Sequence, residues 1–235
     1  MEWERWAPWM DRIRQDFGYS EPADLGAAQD LEALLGREDA APVVDYAWNI
    51  LRKAKVRVLG AADTALDDVK RLGRKGPVVA AGGATTAARQ AGRVPEIVVT
   101  DLDGAVEDQV WAAEHGALVF IHAHGDNRDA LRTWVPRFPG NLLAGTCQVR
   151  AFGRLINPGG FTDGDRACFL AHAMRPKRVE LLGFDLDGPV GRLSGSGADD
   201  AKKRKLEWCG RLLGFLQDEG LAFRPPVASP ATHSV

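Results

Sequence analysis

The chain has 235 residues, 45% of them hydrophobic and 26% charged, with a formal net charge of −2. That length suits one large α/β domain or a domain with a small appendage, and a charge so near zero gives no reason to expect nucleic acid or an anionic membrane as partner. No apolar run approaches the ~20 residues that span a bilayer, the start "MEWERWAPWMDRIRQDFG" lacks the pattern of a secretory signal, and Cys147, Cys168 and Cys209 form no CxxC pair, which fits a reducing cytoplasm.

In chain order, Trp3, Trp6, Trp9, Met10, Ile13 and Phe17 recur at steps of three and four, which predicts an amphipathic helix. A second apolar pattern runs from Val43 through Tyr46, Ala47, Ile50 and Leu51. Such an aromatic stripe suits core packing better than ligand stacking. Residues 1–54 are therefore expected to be a helical segment packed on the rest of a single 1–235 α/β domain. A homodimer burying part of the stripe stays open.

From Lys55 the rhythm changes. "KVRVLG" precedes "TALDDVKRLG", which Gly73 would close; "PVVAAGG" precedes "ATTAARQAG"; "EIVVTD" precedes "AVEDQVWAAEHG"; "ALVFIHAHGD" precedes "NRDALRTWVPRF". Then come "NLLAGT", a glycine-rich loop, the helix-like "DGDRACFLAHAM", "RVELLGFD" and a long helix from about Asp199 to Glu219. Strands alternating with helices predict a mostly parallel sheet of about six strands, with helices on both faces, over 55–224. Residues 225–235 read as a tail.

In such sheets, ligands bind beyond the carboxyl ends of the strands, near a switch in strand order. The polar clusters fall there: Gly60–Asp63, Gly82–Thr86, Asp101–Gly104, His122–Asn127, Gly145–Gln148 and Asp185–Asp187. Asp101 and Asp103 point the same way if the strand breaks into a turn, which Gly104 permits. With Asp126 they are candidates for an open magnesium site, completed by water and phosphate oxygens. "DLDG" also resembles the first motif of haloacid-dehalogenase-type hydrolases, where the first aspartate attacks phosphorus. Two complete strand–helix units precede it here, which disfavours that reading. Zinc is disfavoured too, because the cysteines lie away from His122 and His124. In "NPGGFTDGDRA", Thr162 or Asp163 can cap a helix, with Asp165 and Arg166 in its first turn.

Taken in order, "PEIVVTDLDG", "IHAHGDN", "GTCQ", "GGFTDGDRA" and "LLGFDLDG" resemble the archaeal 6-hydroxymethyl-7,8-dihydropterin pyrophosphokinases, the MptE-like family, over most of the chain from about Lys55. A more remote similarity links that family to thiamin pyrophosphokinase. The resemblance implies transfer of a diphosphate from ATP to the pterin's hydroxymethyl group, releasing AMP, in folate- or methanopterin-type cofactor synthesis.

On that reading Asp101, Asp103 and Asp126 hold Mg²⁺ on ATP oxygens. Nucleotide contacts are expected at Gly60, Ala61, Gly82, Gly83, Thr100, Arg166 and Lys202. Contacts to the flat pterin ring, which needs paired donors and acceptors, are expected at Asn127, Thr146, Gln148, Thr162, Asp163, Asp165 and Asp185. Two loops depart from the family pattern: "GAADTAL" stands in place of a "GxGPSL"-like turn, and "AAGGA" in place of "AADGA". The alternatives are a thiamin-type or other alcohol as acceptor, the phosphatase, and a nucleotide- or pterin-binding protein without catalysis. The loop "GRLSGSGADD" before the lysine-rich helix is a candidate lid, with Lys202 or Lys205 meeting the polyphosphate.

Overall fold

The computed structural model describes residues 1–36, 41–72, 76–186, 188, 191–193 and 199–224. Seven strands are present among them: β1 (Lys55–Leu59), β2 (Val78–Ala81), β3 (Ile97–Thr100), β4 (Leu118–Ala123), β5 (Leu143–Cys147), β6 (Arg178–Leu182) and β7 (Phe223–Arg224). They form one sheet in the order β5-β4-β3-β2-β1-β6-β7, and every neighbouring pair is parallel. The sheet thus has one strand more than expected. The seventh is a two-residue edge strand, too short to leave a periodic signal in sequence.

The accompanying helices are α1 (Trp3–Phe17), α2 (Glu21–Leu34), α3 (Ala41–Leu51), α4 (Ala65–Leu72), α5 (Ala84–Gln90), α6 (Val106–Glu114), α7 (Arg128–Trp134), α8 (Asp163–Ala173) and α9 (Asp199–Asp218). Strand side chains alternate between two covered faces, as period-two geometry requires. Val56, Val58, Val79, Ile97, Val99, Leu118 and Phe120 pack under α1, α3, α8 and α9. Val98, Val119, Ile121 and Ala123 pack under α2, α6 and α7. Leu59 and Val78 meet α4 and α5. Because both faces are buried, the strands read as unbroken apolar runs.

The tryptophan stripe is spent on this core. Trp6 meets Phe169 of α8 edge-on, with centroids 5.2 Å apart, and Trp9 meets Phe215 of α9 at 5.1 Å. Helix α1 stops at Gly18, whose φ of 70° is left-handed. The chain then turns into α2, which lies on the opposite face. All three cysteines are buried and free, and burial pushes the Cys147 thiol up to about 12. None of the described helices is long and apolar enough to cross a membrane.

From β1 to β5 the chain steps steadily to one side, then β6 returns to the other side of β1. Connections therefore leave β1 and β6 in opposite directions, and a crevice is expected beyond their carboxyl ends. Gly73, Asp187, residues 194–198 of the glycine-serine loop and the 225–235 tail lie outside the described residues.

Candidate active site

A crevice of two joined lobes lies along the carboxyl rim. The first, about 210 Å³, sits at the β1/β6 switch. Gly60 and Ala61 after β1, Gly83 after β2, Asp101 and Asp103 after β3, Thr162 and Asp163 at the start of α8, and Phe184 and Asp185 after β6 line it. Lys202, Lys205 and Leu206 of α9 close one side. Backbone packs tightly beneath this lobe. A Cβ on Gly60 would stand 2.6 Å from the Gly183 carbonyl oxygen, and one on Gly83 would stand 1.9 Å from that of Leu193. Only glycine fits at either place.

The second lobe, about 180 Å³, lies over the ends of β4 and β5. Its walls are Gly18, Tyr19 and Ser20 from the α1–α2 turn, Asp24 in the first turn of α2, His124 and Asp126 after β4, and Gln148 after β5. Phe161 shields it, 5.1 Å from Phe17 and 6.2 Å from Tyr19 between ring centroids. Asp101, Phe161 and Lys205 line both lobes.

The turn after β3 puts two carboxylates on this rim. Leu102 adopts a left-handed φ of 66° and Gly104 one of 77°. The Leu102 side chain drops into the core, 4% exposed, so Asp101 and Asp103 both face the crevice. A left-handed leucine is unfavourable and persists because its surroundings fix it. The Leu102 N–H donates to Thr100 Oγ1 at 2.8 Å, the Thr100 hydroxyl donates to Gln109 Oε1 at 2.8 Å, and Gln109 Nε2 donates to the Asp103 carbonyl at 3.3 Å.

Several of the expected contact residues are engaged in such bracing. Thr100 is 0% exposed, and its hydroxyl is engaged in holding the turn. Asn127 staples β3 to β4: its amide nitrogen donates to the Asp101 and His122 carbonyls, at 2.8 and 2.7 Å, and its Oδ1 accepts from His124 N–H. Thr146, 1% exposed, donates to the Ile121 carbonyl and so accepts from His122 Nδ1 at 2.8 Å. Asp165 is fully buried. It accepts from Phe161 N–H at 2.5 Å, Thr162 N–H at 3.0 Å and the Thr162 hydroxyl at 2.6 Å, forming a capping box for α8. Arg166 lies in the floor, bonded to Asp163 Oδ1 at 3.0 Å and the Phe161 carbonyl at 2.7 Å. Gly82 also lies beneath the lining. A Cβ there would stand 2.4 Å from Asp163 Oδ2, and its N–H continues the ladder to the Val99 carbonyl. A polar residue at a strand end reads the same in sequence whether it faces a ligand or its own main chain.

Of the remaining candidates, Gly60, Ala61, Gly83, Thr162, Asp163, Asp185 and Lys202 come together with Asp101 and Asp103 in the first lobe, while Asp126 and Gln148 join the second. Sequence reasoning missed Tyr19, Asp24 and Phe161, and it weighed His124 only as a zinc ligand. Asp24 is 2% exposed and accepts from the Gly125 N–H, Gln148 Nε2 and Arg14 Nη2 at 3.0, 3.3 and 3.3 Å. The one signal for Tyr19 and Asp24 is "GYSEP", a helix stop followed by a serine and a proline at the next helix start. It shows a turn but gives no hint of where the turn lands.

Electrostatics single out the same rim. Burial by itself would raise the Asp101 carboxyl. His124 Nε2 at 3.5 Å, the Arg166 charge and the Asp103 N–H instead hold it below the usual carboxylate range. Burial and the neighbouring Asp101 charge push Asp163 well above that range, against the pull of Arg166. His122, desolvated and close to Arg166, is held well below its ordinary value and stays neutral. No group of three or more His, Cys, Asp or Glu converges as a metal cluster among the described residues, and Asp126 lines the other lobe from Asp103. Two carboxylate side chains on an open rim fit magnesium, which takes the rest of its shell from water and phosphate oxygens. They would not suffice for a closed structural site.

The model of a protein family described as "6-hydroxymethylpterin diphosphokinase MptE-like" matches residues 44–190. Curated relatives extend the likeness over nearly the whole chain. A Pyrococcus furiosus protein named 6-hydroxymethyl-7,8-dihydropterin pyrophosphokinase is 40% identical over 229 residues, covering 94% of this chain and 97% of the relative. Proteins of the same name from Methanothermobacter thermautotrophicus and Methanocaldococcus jannaschii are 39% and 30% identical, each with 97% of its own length covered. The α1–α2 turn and α9, which wall the crevice, fall outside the family-model match but inside these alignments' near-complete span.

Proposed function

The chain belongs to the MptE-like family of 6-hydroxymethylpterin diphosphokinases, and we propose that it moves a diphosphate from ATP to the hydroxymethyl oxygen of 6-hydroxymethyl-7,8-dihydropterin. One observation carries the reading: two lobes of different construction meet at a carboxylate, Asp101. A transfer between two substrates needs such a junction, because most of the rate comes from holding the reacting atoms in line.

ATP takes the first lobe. The switch-point loops carrying Gly60, Ala61 and Gly83 line the lobe where its phosphates would lie, and Phe184, Leu186 and Leu206 offer apolar surface for the base. The pterin takes the second lobe. Tyr19 and Phe161 suit a flat ring, and Asp24 with Gln148 suits its amino-pyrimidinone edge. Asp101 and Asp103 would hold Mg²⁺, which when bound supplies neutralising charge at the phosphate oxygens. His124 and Asn127 fix the Asp101 carboxylate and main chain in position. Phe161 screens the junction from water, a competitor for the same phosphorus. The acceptor oxygen bonds to the β-phosphorus, the bond from that phosphorus to the α-bridging oxygen breaks, AMP keeps the electron pair, and the hydroxyl proton leaves to water.

Incubation with Mg²⁺, ATP and the pterin should yield AMP and pterin diphosphate in equal amounts. ADP would mean single phosphoryl transfer. Free phosphate with an aspartyl-phosphate trapped on Asp101 would mean a hydrolase.

A further inference from the structure

Two cationic side chains line the crevice among the described residues, and they are placed differently. Lys202 lines the first lobe, whereas Lys205 lines both. Lys205 Nζ lies 5.8 Å from the centroid of the Phe161 ring, and no hydrogen bond or ion pair engages it among the described residues. An ammonium resting on an aromatic face keeps its charge available.

The turn of α9 that carries it is clamped. Arg204 and Trp208, one residue before and three after, bond the two Asp16 carboxylate oxygens at 2.7 Å each. The Arg204 guanidinium also lies 4.7 Å from the Phe17 ring centroid, and Phe17 packs against Phe161. The helix turn that carries Lys205 is thereby held at the junction, where Lys205 and Asp101 line both lobes.

We propose that Lys205 is the catalytic residue that grips the diphosphate as it crosses from one lobe to the other. This rests on the two-substrate reading above and adds a specific group to it. The carboxylates on this rim repel a polyphosphate, so a cation must meet its oxygens at the crossing point. The two phosphoryl groups begin on the nucleotide and end on the acceptor. A charge fixed at the junction meets them best midway, while the new oxygen–phosphorus bond forms and the bond to AMP breaks. Its effect therefore falls on kcat more than on either KM. Lys202, confined to the first lobe, acts on ATP binding alone.

The test compares Lys205→Ala, Lys205→Arg and Lys202→Ala with the exposed Lys203→Ala as control. Lys205→Ala should lower kcat by about 100-fold while both KM values stay within about twofold, and Lys205→Arg should recover part of the loss. Inorganic pyrophosphate with Mg²⁺ should bind Lys205→Ala about tenfold more weakly than wild type, with melting unchanged. Lys202→Ala should raise the KM for ATP, and Lys203→Ala should do nothing. A kcat within twofold of wild type in Lys205→Ala, or equal pyrophosphate affinity, overturns the proposal. A wild-type protein that forms no AMP with the pterin overturns the acceptor reading alone, and the pyrophosphate titration then still decides the role of Lys205.

Discussion

The two lobes of the crevice are made of different material. The first rests on close-packed backbone: Gly60 against Gly183, Gly83 under Leu193, and a capped helix start at Thr162. The second is walled by side chains, Tyr19, Asp24, His124, Asp126 and Gln148, carried on α2 and on three separate connections. Backbone walls suit a ligand part common to many proteins, such as a polyphosphate. Side-chain walls suit a part that must be told from its relatives, because hydrogen-bonding edges set discrimination. On this account the first lobe fixes the donor and the second chooses the acceptor.

Substitutions at the two rim carboxylates should have the largest effect, on turnover and on the donor side. Asp101→Asn and Asp103→Asn should each reduce turnover by at least about 100-fold, with the melting temperature nearly unchanged. Isothermal titration should show that Mg²⁺-ATP binding suffers in both variants while the pterin alone still binds. Retained turnover would place the metal elsewhere.

Within the second lobe, structure and recognition separate. Asp24→Ala removes the buried one of three carboxylates around Arg14, the others being Asp11 and Glu21, and leaves the Gly125 N–H and the Gln148 amide without their acceptor. Chemical denaturation should show a loss of about 1–3 kcal/mol. Tyr19→Ala removes only a ring at the lobe edge and should raise the KM for the pterin by about fivefold, from some 1 kcal/mol of stacking, leaving the KM for ATP alone. An effect of Tyr19→Ala on ATP instead would exchange the two assignments.

The smallest effect concerns pH. His122 is held neutral in the folded chain, whereas the unfolded chain takes up a proton below about pH 6.5. Stability should therefore fall as the pH drops through that value, by up to about 1.4 kcal/mol per unit from this group, and the contribution is level above it. His122→Asn should flatten the slope between about pH 6.5 and 5 in urea titrations. An unchanged slope would mean that His122 takes its proton in the folded state.

Much of the first lobe is legible in sequence. Buried parallel strands write continuous apolar runs, and the glycines and aspartates that follow them mark the rim. The second lobe is harder to see, since it borrows Tyr19 and Asp24 from an N-terminal segment whose periodicity speaks only of packing. Helix α2 hides further because its buried face is mostly small, Ala27, Ala28 and Leu31. Among the motif residues, Thr100, Asn127, Thr146, Asp165 and Arg166 turn inward to satisfy main chain or a neighbouring charge. Their spacing along the chain holds no trace of that direction. Whether 1–54 can be separated from the core is open to limited proteolysis, and the packing of Trp6 on Phe169 leads us to expect no stable fragment starting near Lys55.

The most direct test is a crystal structure of the chain with Mg²⁺, an ATP analogue carrying a methylene bridge between the α- and β-phosphorus, and the pterin. The expected result is the nucleotide over the ends of β1 and β6, the pterin ring in the second lobe against Tyr19 or Phe161 with its edge toward Asp24, and the β-phosphoryl group at Asp101 within reach of Lys205. A pterin ring seated against Phe184 and Asp185, or both ligands on the same side of Asp101, would contradict it.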